Sequence, residues 1–501
     1  MNDTPSAKCA CQHCGLHLEF PGELDGSTIE CPTCQQTTLL SIPAAAEPSE
    51  ELTPAAIASA LSSRVPKTPV SFLYQFGLLF VTLAMVLLPV LYLALIAAAG
   101  YGVYYWGTHF SSLLTSGVGG ARIFLLKAAL YIAPFLAGVV VVLFMVKPLF
   151  ARRPKHAQPL ALNPGAEPLL FTYITQICES VGAPAPRRID LDCQLNASAS
   201  FRRGAWSLLG NDLVLTIGLP LVAGLNTRQF AGVIAHEFGH FTQGFGMRLT
   251  YVIRSVNAWF ARVVYERDAW DVSLEEWAEE AQDGRVAIVI AFIRFSVWCS
   301  RLVLKLLMYL GHGIGCFMLR QMEYDADSYQ IKLVGSEGFE ATSKRLHVLG
   351  SLLDRTYKDL RPSWNMSHKL PDNFPAWLMR HDAELRANQR THLEDTLGLE
   401  ASGLFDTHPS WGDRIRRARQ ANESGVFHLE QPATKLFACF EVPAKQVTIL
   451  HYTDDLGIPA PMINLVPVSH AASADANFQE SPPPTPTAPR IRVKLSTPPP
   501  S

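Results

Sequence analysis

His236, Glu237 and His240 stand in the apolar run Ala231-Gly-Val-Ile-Ala-His-Glu-Phe-Gly-His240. On a helix, positions i and i+4 project from one face, so the two imidazoles can be offered to one Zn²⁺ with the Glu237 carboxylate beside the metal's water. A helix is expected here: Phe230, Val233 and Ile234 recur at helical spacing, and Asn226 or Thr227 can serve as N-cap. A catalytic zinc takes three protein ligands and keeps one open position, so a third ligand must come from elsewhere. No third histidine follows at the spacing HExxHxxGxxH. The best candidate is Glu323, and Asp327, four residues on, shares its helical face and can accept the remaining N–H of a ligand histidine. A solvated acidic helix face is the alternative reading of the same pair. Zinc brings the pKa of a bound water toward neutrality, and Glu237 can take its proton during attack on a peptide carbonyl and pass it to the leaving amine. That is hydrolysis without an acyl-enzyme, and its oxyanion needs a donor besides the metal.

Further elements follow this motif's neighbourhood in a fixed order. They are Asn196-Ala-Ser-Ala199, the β-type run Asp212 to Leu219, the His236–His240 helix, Glu323-Tyr-Asp-Ala-Asp327, and Thr407-His-Pro-Ser-Trp-Gly-Asp-Arg-Ile415. With them, roughly Leu160 to Ala418 resembles the HtpX-like and CAAX-prenyl-endopeptidase-type family of membrane zinc metallopeptidases, which are gluzincins. The resemblance implies a zincin-like domain with Glu323 as third ligand, Asp327 orienting a ligand histidine, and His408 as oxyanion donor. Arg414 is expected to pair with a nearby carboxylate and hold its segment. The resemblance also implies that the strand after Asp212 is a sheet edge, able to pair with an extended peptide through main-chain hydrogen bonds. Asn196, Ala197, Leu215 and Ile217 are then the substrate-binding candidates, although an ordinary core strand fits the same run. Ser198 stands where the family usually carries an aromatic residue.

A second metal site is expected near the N-terminus. Cys11-x₂-Cys14 and Cys31-x₂-Cys34, sixteen residues apart, have the spacing of a zinc ribbon with a structural Zn²⁺. Two disulfides would need an oxidising compartment. Only Lys8 is basic in this neighbourhood, which disfavours nucleic acid and leaves docking of a protein partner.

Composition points to a membrane. The 501 residues are 49% hydrophobic with a net charge of −2, and no Asp, Glu, Lys or Arg occurs from Thr68 to Ala121. Phe72 to about Ala99 can span a bilayer, as can Ile123 to Val146, with Tyr101, Tyr104, Tyr105 and Trp106 between them at an interface. Arg64 and Lys67 precede the first span, and Lys147, Arg152, Arg153 and Lys155 follow the second. The flanking charges therefore place both ends in the cytoplasm, with the N-terminus and catalytic domain on that side of a bacterial inner membrane. The first apolar run begins some seventy residues in, which argues against a signal peptide.

The expected class is mainly α with a small β-sheet (α+β). A zinc ribbon (8–40) and a flexible linker (41–70) lead to a two-helix transmembrane hairpin (71–147). A zincin-like peptidase domain (160–420) follows, with an apolar insert at 249–319. Within the insert Arg294, Arg301, Lys305 and His312 form one helical stripe, which favours a helix lying in the bilayer surface and leaves a third span open. Asp268 to Asp283 reads as a solvated acidic flap. A small appendage (421–468), with Gln446 to Tyr452 as a β-type run, precedes a disordered Pro-rich tail (469–501). The function that fits is a membrane zinc endopeptidase acting on protein or peptide substrates in or near the lipid bilayer, with one catalytic and one structural zinc. A non-catalytic membrane adaptor, whose ribbon docks a protein partner, is the competing reading. Prenyl-CAAX processing would need a larger membrane chamber than two clear spans provide.

Overall fold

The computed structural model describes residues 6–10, 17–21, 27–32, 36–39, 52–68, 72–115, 120–150, 159–201, 212–242, 245–265, 276–277, 284–397 and 408–470. The chain divides into two units, Met1–Thr53 and Pro54–Ser501. The first holds two antiparallel hairpins, β1 (Ser6–Ala10) with β2 (His17–Pro21) and β3 (Thr28–Glu30) with β4 (Thr37–Leu39). Cys31 is buried just after β3, and its N–H donates to the Gln36 carbonyl across the turn. Cys11, Cys14 and Cys34 lie outside the described residues, as do the acidic flap apart from 276–277 and the tail from 471.

The second unit begins with α1 (Pro54–Ser59). Residues 54–68, expected as linker, are folded onto the peptidase domain: Ile57 and Val65 are buried, and the Ser62 and Val65 amides donate to the Val426 and Ser180 carbonyls. Their apolar side chains gain more from that surface than a solvated linker could.

Two long apolar helices follow, α2 (Phe72–His109) and α3 (Ala121–Val146). The peptidase domain adds β5 (Leu160–Ala161), α4 (Pro168–Val181), β6 (Arg188–Asp192), β7 (Ala197–Phe201), β8 (Leu213–Gly218), α5 (Thr227–Gly239), α6 (Phe245–Tyr265) and α7 (Gly284–Ser367). The long helix α7 is bent at Gly335, where φ is 82°. A Cβ there would lie 2.6 Å from the Ser424 carbonyl oxygen, so the close approach requires glycine. Then come β9 (Lys369–Pro371), α8 (Phe374–Glu384), α9 (Trp411–Ala421), α10 (Glu441–Leu450) and β10 (Asn464–Val466).

The sheet order is β5-β6-β8-β7. β8 is parallel to β6 and antiparallel to β7, so it lies inside the sheet, and β7 is the edge. This corrects the expected edge strand. Leu215 and Ile217 are fully buried between neighbours on both sides and cannot touch a substrate. The run Gln446 to Tyr452 is also not a strand. It continues α10 into a π-helical turn, because Val447 and Thr448 bury against α8, where the Thr448 hydroxyl accepts from the Phe374 amide at 2.9 Å. Tertiary packing here overrides the β preference of branched residues. β10 pairs in parallel with β9, which joins the C-terminal segment to the peptidase domain.

Among the described residues three helices are long and apolar enough to cross a membrane: 74–109, 121–150 and a segment of α7 from Ile290. The first part of α7 packs lengthwise with α2, α3 and α6 in one apolar cluster that includes Leu78, Met85, Tyr92, Met145, Phe260, Leu304, Met308 and Met322. A helix lying alone in the bilayer surface, the arrangement its basic stripe favours, does not bury residues in this way. Met322 belongs to that cluster and Glu323 follows it directly, so the chemistry-bearing part of α7 begins where the apolar bundle ends.

Candidate active site

Asn226 caps α5 through a capping box with Gln229: its side chain accepts from the Gln229 amide, and the Gln229 side chain accepts from the Asn226 amide. Such a cap contributes about 1 kcal/mol and fixes where the helix starts, hence which face carries His236 and His240. Tyr173 of α4 anchors the same turn by donating to the Thr227 carbonyl at 2.5 Å. Two glycines then let α5 lie close against α7. A Cβ at Gly239 would meet the Ala326 Cα at 3.2 Å, and one at Gly232 would crowd Gln330 and Val334. His236 lies between these glycines and is carried onto α7 opposite Glu323.

His236 Nε2 is 3.5 Å from one Glu323 oxygen and His240 Nε2 is 3.8 Å from the other. The donor atoms of the three residues lie within 4.8 Å of one another. A tetrahedral zinc about 2 Å from each ligand would separate ligand atoms by roughly 3.3 Å, so two imidazoles and one carboxylate at these spacings fit the ion. His236 Nδ1 is 3.1 Å from Asp327, and Arg414 of α9 holds that carboxylate with two bonds, Nε at 2.8 Å and Nη2 at 2.5 Å. His408 Nδ1 is 3.4 Å from Glu323, and its ring is 48% exposed, so it faces the open side of the site.

The electrostatics agree with a cation between these groups. Burial pushes His240 down to about 3, leaving the neutral imidazole that can donate a lone pair. Burial opposes charge on His236 as well, but the Asp327 and Glu323 carboxylates outweigh it and raise its pKa to about 9. Burial also raises Glu237 above the usual carboxylate range, against the pull of His236. A carboxyl raised by burial is a stronger base than an ordinary one.

The expected site residues divide into two groups. The structure brings His236, Glu237, His240, Glu323, Asp327, His408 and Arg414 together. It does not bring Leu215 and Ile217. Ala197 lies on the edge strand β7, and Asn196, exposed just before it, spends its carbonyl on the Gly218 amide at 2.8 Å. Two further contributors lie outside the expected set. The Ala199 amide of β7 hydrogen-bonds Glu237, tying the sheet edge to the carboxylate. Arg254 reaches from α6 to Glu323 at 2.7 Å. Its only signal in the sequence is a cation on a largely apolar helix that also carries Arg248 and Arg262.

Comparison with known proteins agrees with this geometry. The model of peptidase family M48 matches residues 169–422, half of the chain. The chain belongs to peptidase family M48. Protease HtpX of Acinetobacter baylyi (strain ATCC 33305 / BD413 / ADP1) is 25% identical over 269 residues, covering 53% of this chain and 75% of that protein. No solved structure matches significantly. M48 peptidases are zinc-dependent, and the M48 match contains all seven residues gathered at the site. This M48 protein is thus a metallopeptidase with three apolar helices of membrane-spanning length among its described residues.

Proposed function

We propose that the protein is a membrane-anchored zinc endopeptidase that hydrolyses peptide bonds of membrane or membrane-proximal proteins. The observation that carries this reading is the group His236, His240 and Glu323, with ligand atoms within 4.8 Å, beside Glu237 on the same helical turn. His236 and His240 would hold zinc through Nε2 and Glu323 through a carboxylate oxygen. Zinc there supplies Lewis-acid polarisation of a water and of the scissile carbonyl.

Each remaining step falls to side chains and backbone. Glu237 accepts the proton of the attacking water and delivers it to the leaving amine. The Ala199 amide orients that carboxylate. His408 donates to the developing oxyanion from the exposed side. Asp327, fixed by Arg414, holds the His236 ring so that Nε2 points toward Glu323. The outer edge of β7 has no partner strand among the described residues, and an extended substrate segment can lie along it with its scissile bond over Glu237. Because Glu323 and Arg254 each follow a residue of the apolar bundle, the cleft opens near the membrane, which suits substrates emerging from it.

The orientation is part of the same proposal: the positive flanks of α2 and α3 put the peptidase domain on the cytoplasmic side of a bacterial inner membrane. Cys11, Cys14, Cys31 and Cys34 hold a structural zinc, and the ribbon docks a protein partner. Glu237→Gln is the decisive variant. It should bind zinc as the parent does, two ions per chain, while cleavage of casein falls at least about a hundredfold. Equal cleavage by both proteins would remove Glu237 from the chemistry. No cleavage by either, with zinc present, would favour the adaptor.

A further inference from the structure

The two carboxylate oxygens of Glu323 do not have the same neighbours. Oε2 lies 3.5 Å from His236 Nε2 and 3.4 Å from His408 Nδ1. Oε1 lies 3.8 Å from His240 Nε2 and accepts a 2.7 Å hydrogen bond from Arg254 Nη2. Each oxygen therefore faces one of the two ligand imidazoles, and the carboxylate by itself could close on a zinc ion through both. Two imidazoles and a two-oxygen carboxylate fill four coordination positions, whereas a catalytic zinc keeps one of the four for water.

Arg254 removes this symmetry. An N–H of a guanidinium at 2.7 Å makes a charge-assisted bond, roughly twice as strong as a neutral one, and it competes for the oxygen that a second metal bond would use. The helix that carries it is fixed. Ile253, the residue before Arg254, is fully buried in the apolar cluster that also holds Phe260 of α6 and Leu319 and Met322 of α7, so the arginine is set beside the turn that carries Glu323. Its charge also reaches Glu237 and His240, which it pulls toward lower pKa. Arg414, the other guanidinium of the site, bonds Asp327 instead.

We propose that Arg254 is a positioning residue that keeps Glu323 a one-oxygen ligand: by holding Oε1 it leaves Oε2 for the metal and the fourth position for water. The inference rests on the zinc site proposed above, and its test separates the two.

The full chain is produced with cobalt in place of zinc and kept in mild detergent. Its visible spectrum is read after subtraction of that of His236→Ala, which removes any contribution from the N-terminal cysteines. Imidazole, a one-atom ligand that is mostly neutral at about pH 8, then probes the open position without being drawn by the arginine's charge. The parent spectrum should shift and saturate as imidazole is added. In Arg254→Met, at equal cobalt content, the half-saturating imidazole concentration should rise at least about tenfold, because Oε1 is free to take the position. Arg254→Lys, which keeps a cationic donor, should behave as the parent does. An unchanged titration in Arg254→Met would overturn the proposal, as would a parent that does not respond to imidazole, a result that needs no variant. Loss of the cobalt spectrum in Arg254→Met would overturn it too, by making Arg254 a requirement for holding the metal at all. An equal rise in Arg254→Lys would overturn the hydrogen-bond argument. A parent spectrum identical to that of His236→Ala would instead remove the zinc site on which the inference rests.

Discussion

Asp327 shows what a single carboxylate does at a distance from the reacting atoms. On the proposed reading it touches no substrate; it lies 3.1 Å from His236 Nδ1, is itself gripped twice by Arg414, and orients the ring with Nε2 toward Glu323. Asp327→Asn keeps the shape and removes the charge that Arg414 holds. Zinc affinity of the catalytic site, measured by competition with a chelator, should fall about 10–100-fold. An unchanged affinity would mean that packing alone orients His236. These residues are legible because helical spacing announces them: His240 is four positions after His236, and Asp327 four after Glu323. Arg254 is not, because its role depends on where α6 lies against α7, which no local pattern encodes. Leu215 and Ile217 mislead for a different reason. Leu213 to Ile217 is almost unbroken in apolar character, and that pattern belongs to a strand covered on both faces rather than to an edge.

At the scale of elements, the site depends on how helices are clamped to α7. Asp382 of α8 is one clamp. Its two oxygens each accept from Arg345 of α7 at 2.8 Å, and Arg390 adds a third bond at 2.9 Å, while Arg345 also donates to the Gly224 carbonyl at 2.7 Å. Burial works against the ionised form, but the bonds from Arg345 and Arg390 prevail and hold the carboxyl below its usual range. A group whose pKa is depressed in the folded state contributes stability above its unfolded value, about 3.9, and loses it as the pH falls through the lower folded value. Asp382→Asn should therefore destabilise the protein by about 1–2 kcal/mol at pH 7. The gap between parent and variant in denaturant unfolding should close below about pH 4. A gap independent of pH would assign the loss to shape rather than charge. Helices of this kind are readable from periodicity, α5 down to its Asn226 cap. The helical course of Gln446 to Tyr452 is not, since branched residues give a strand-like pattern and only the seat against α8 decides it.

For the whole molecule, the main feature hidden in the sequence is that α7 serves both the apolar bundle and the peptidase domain. Its two halves read as a surface-lying insert and a separate ligand helix, because the change from apolar to charged composition near Arg320 looks like a boundary. Its packing against α2 and α3 fixes Glu323 relative to the bundle, so the direction in which the bundle crosses the membrane decides which compartment the active site samples. Positive residues flank α2 and α3 on the side that continues into the peptidase domain, and the proposed cytoplasmic orientation rests on them. Cys439, exposed on the peptidase domain, offers a reporter. A membrane-impermeant maleimide should label inverted vesicles carrying the parent more than those carrying Cys439→Ser, by one thiol per chain. In right-side-out vesicles the two proteins should label alike. The opposite pattern would turn the molecule over and move its substrates to the other face of the membrane.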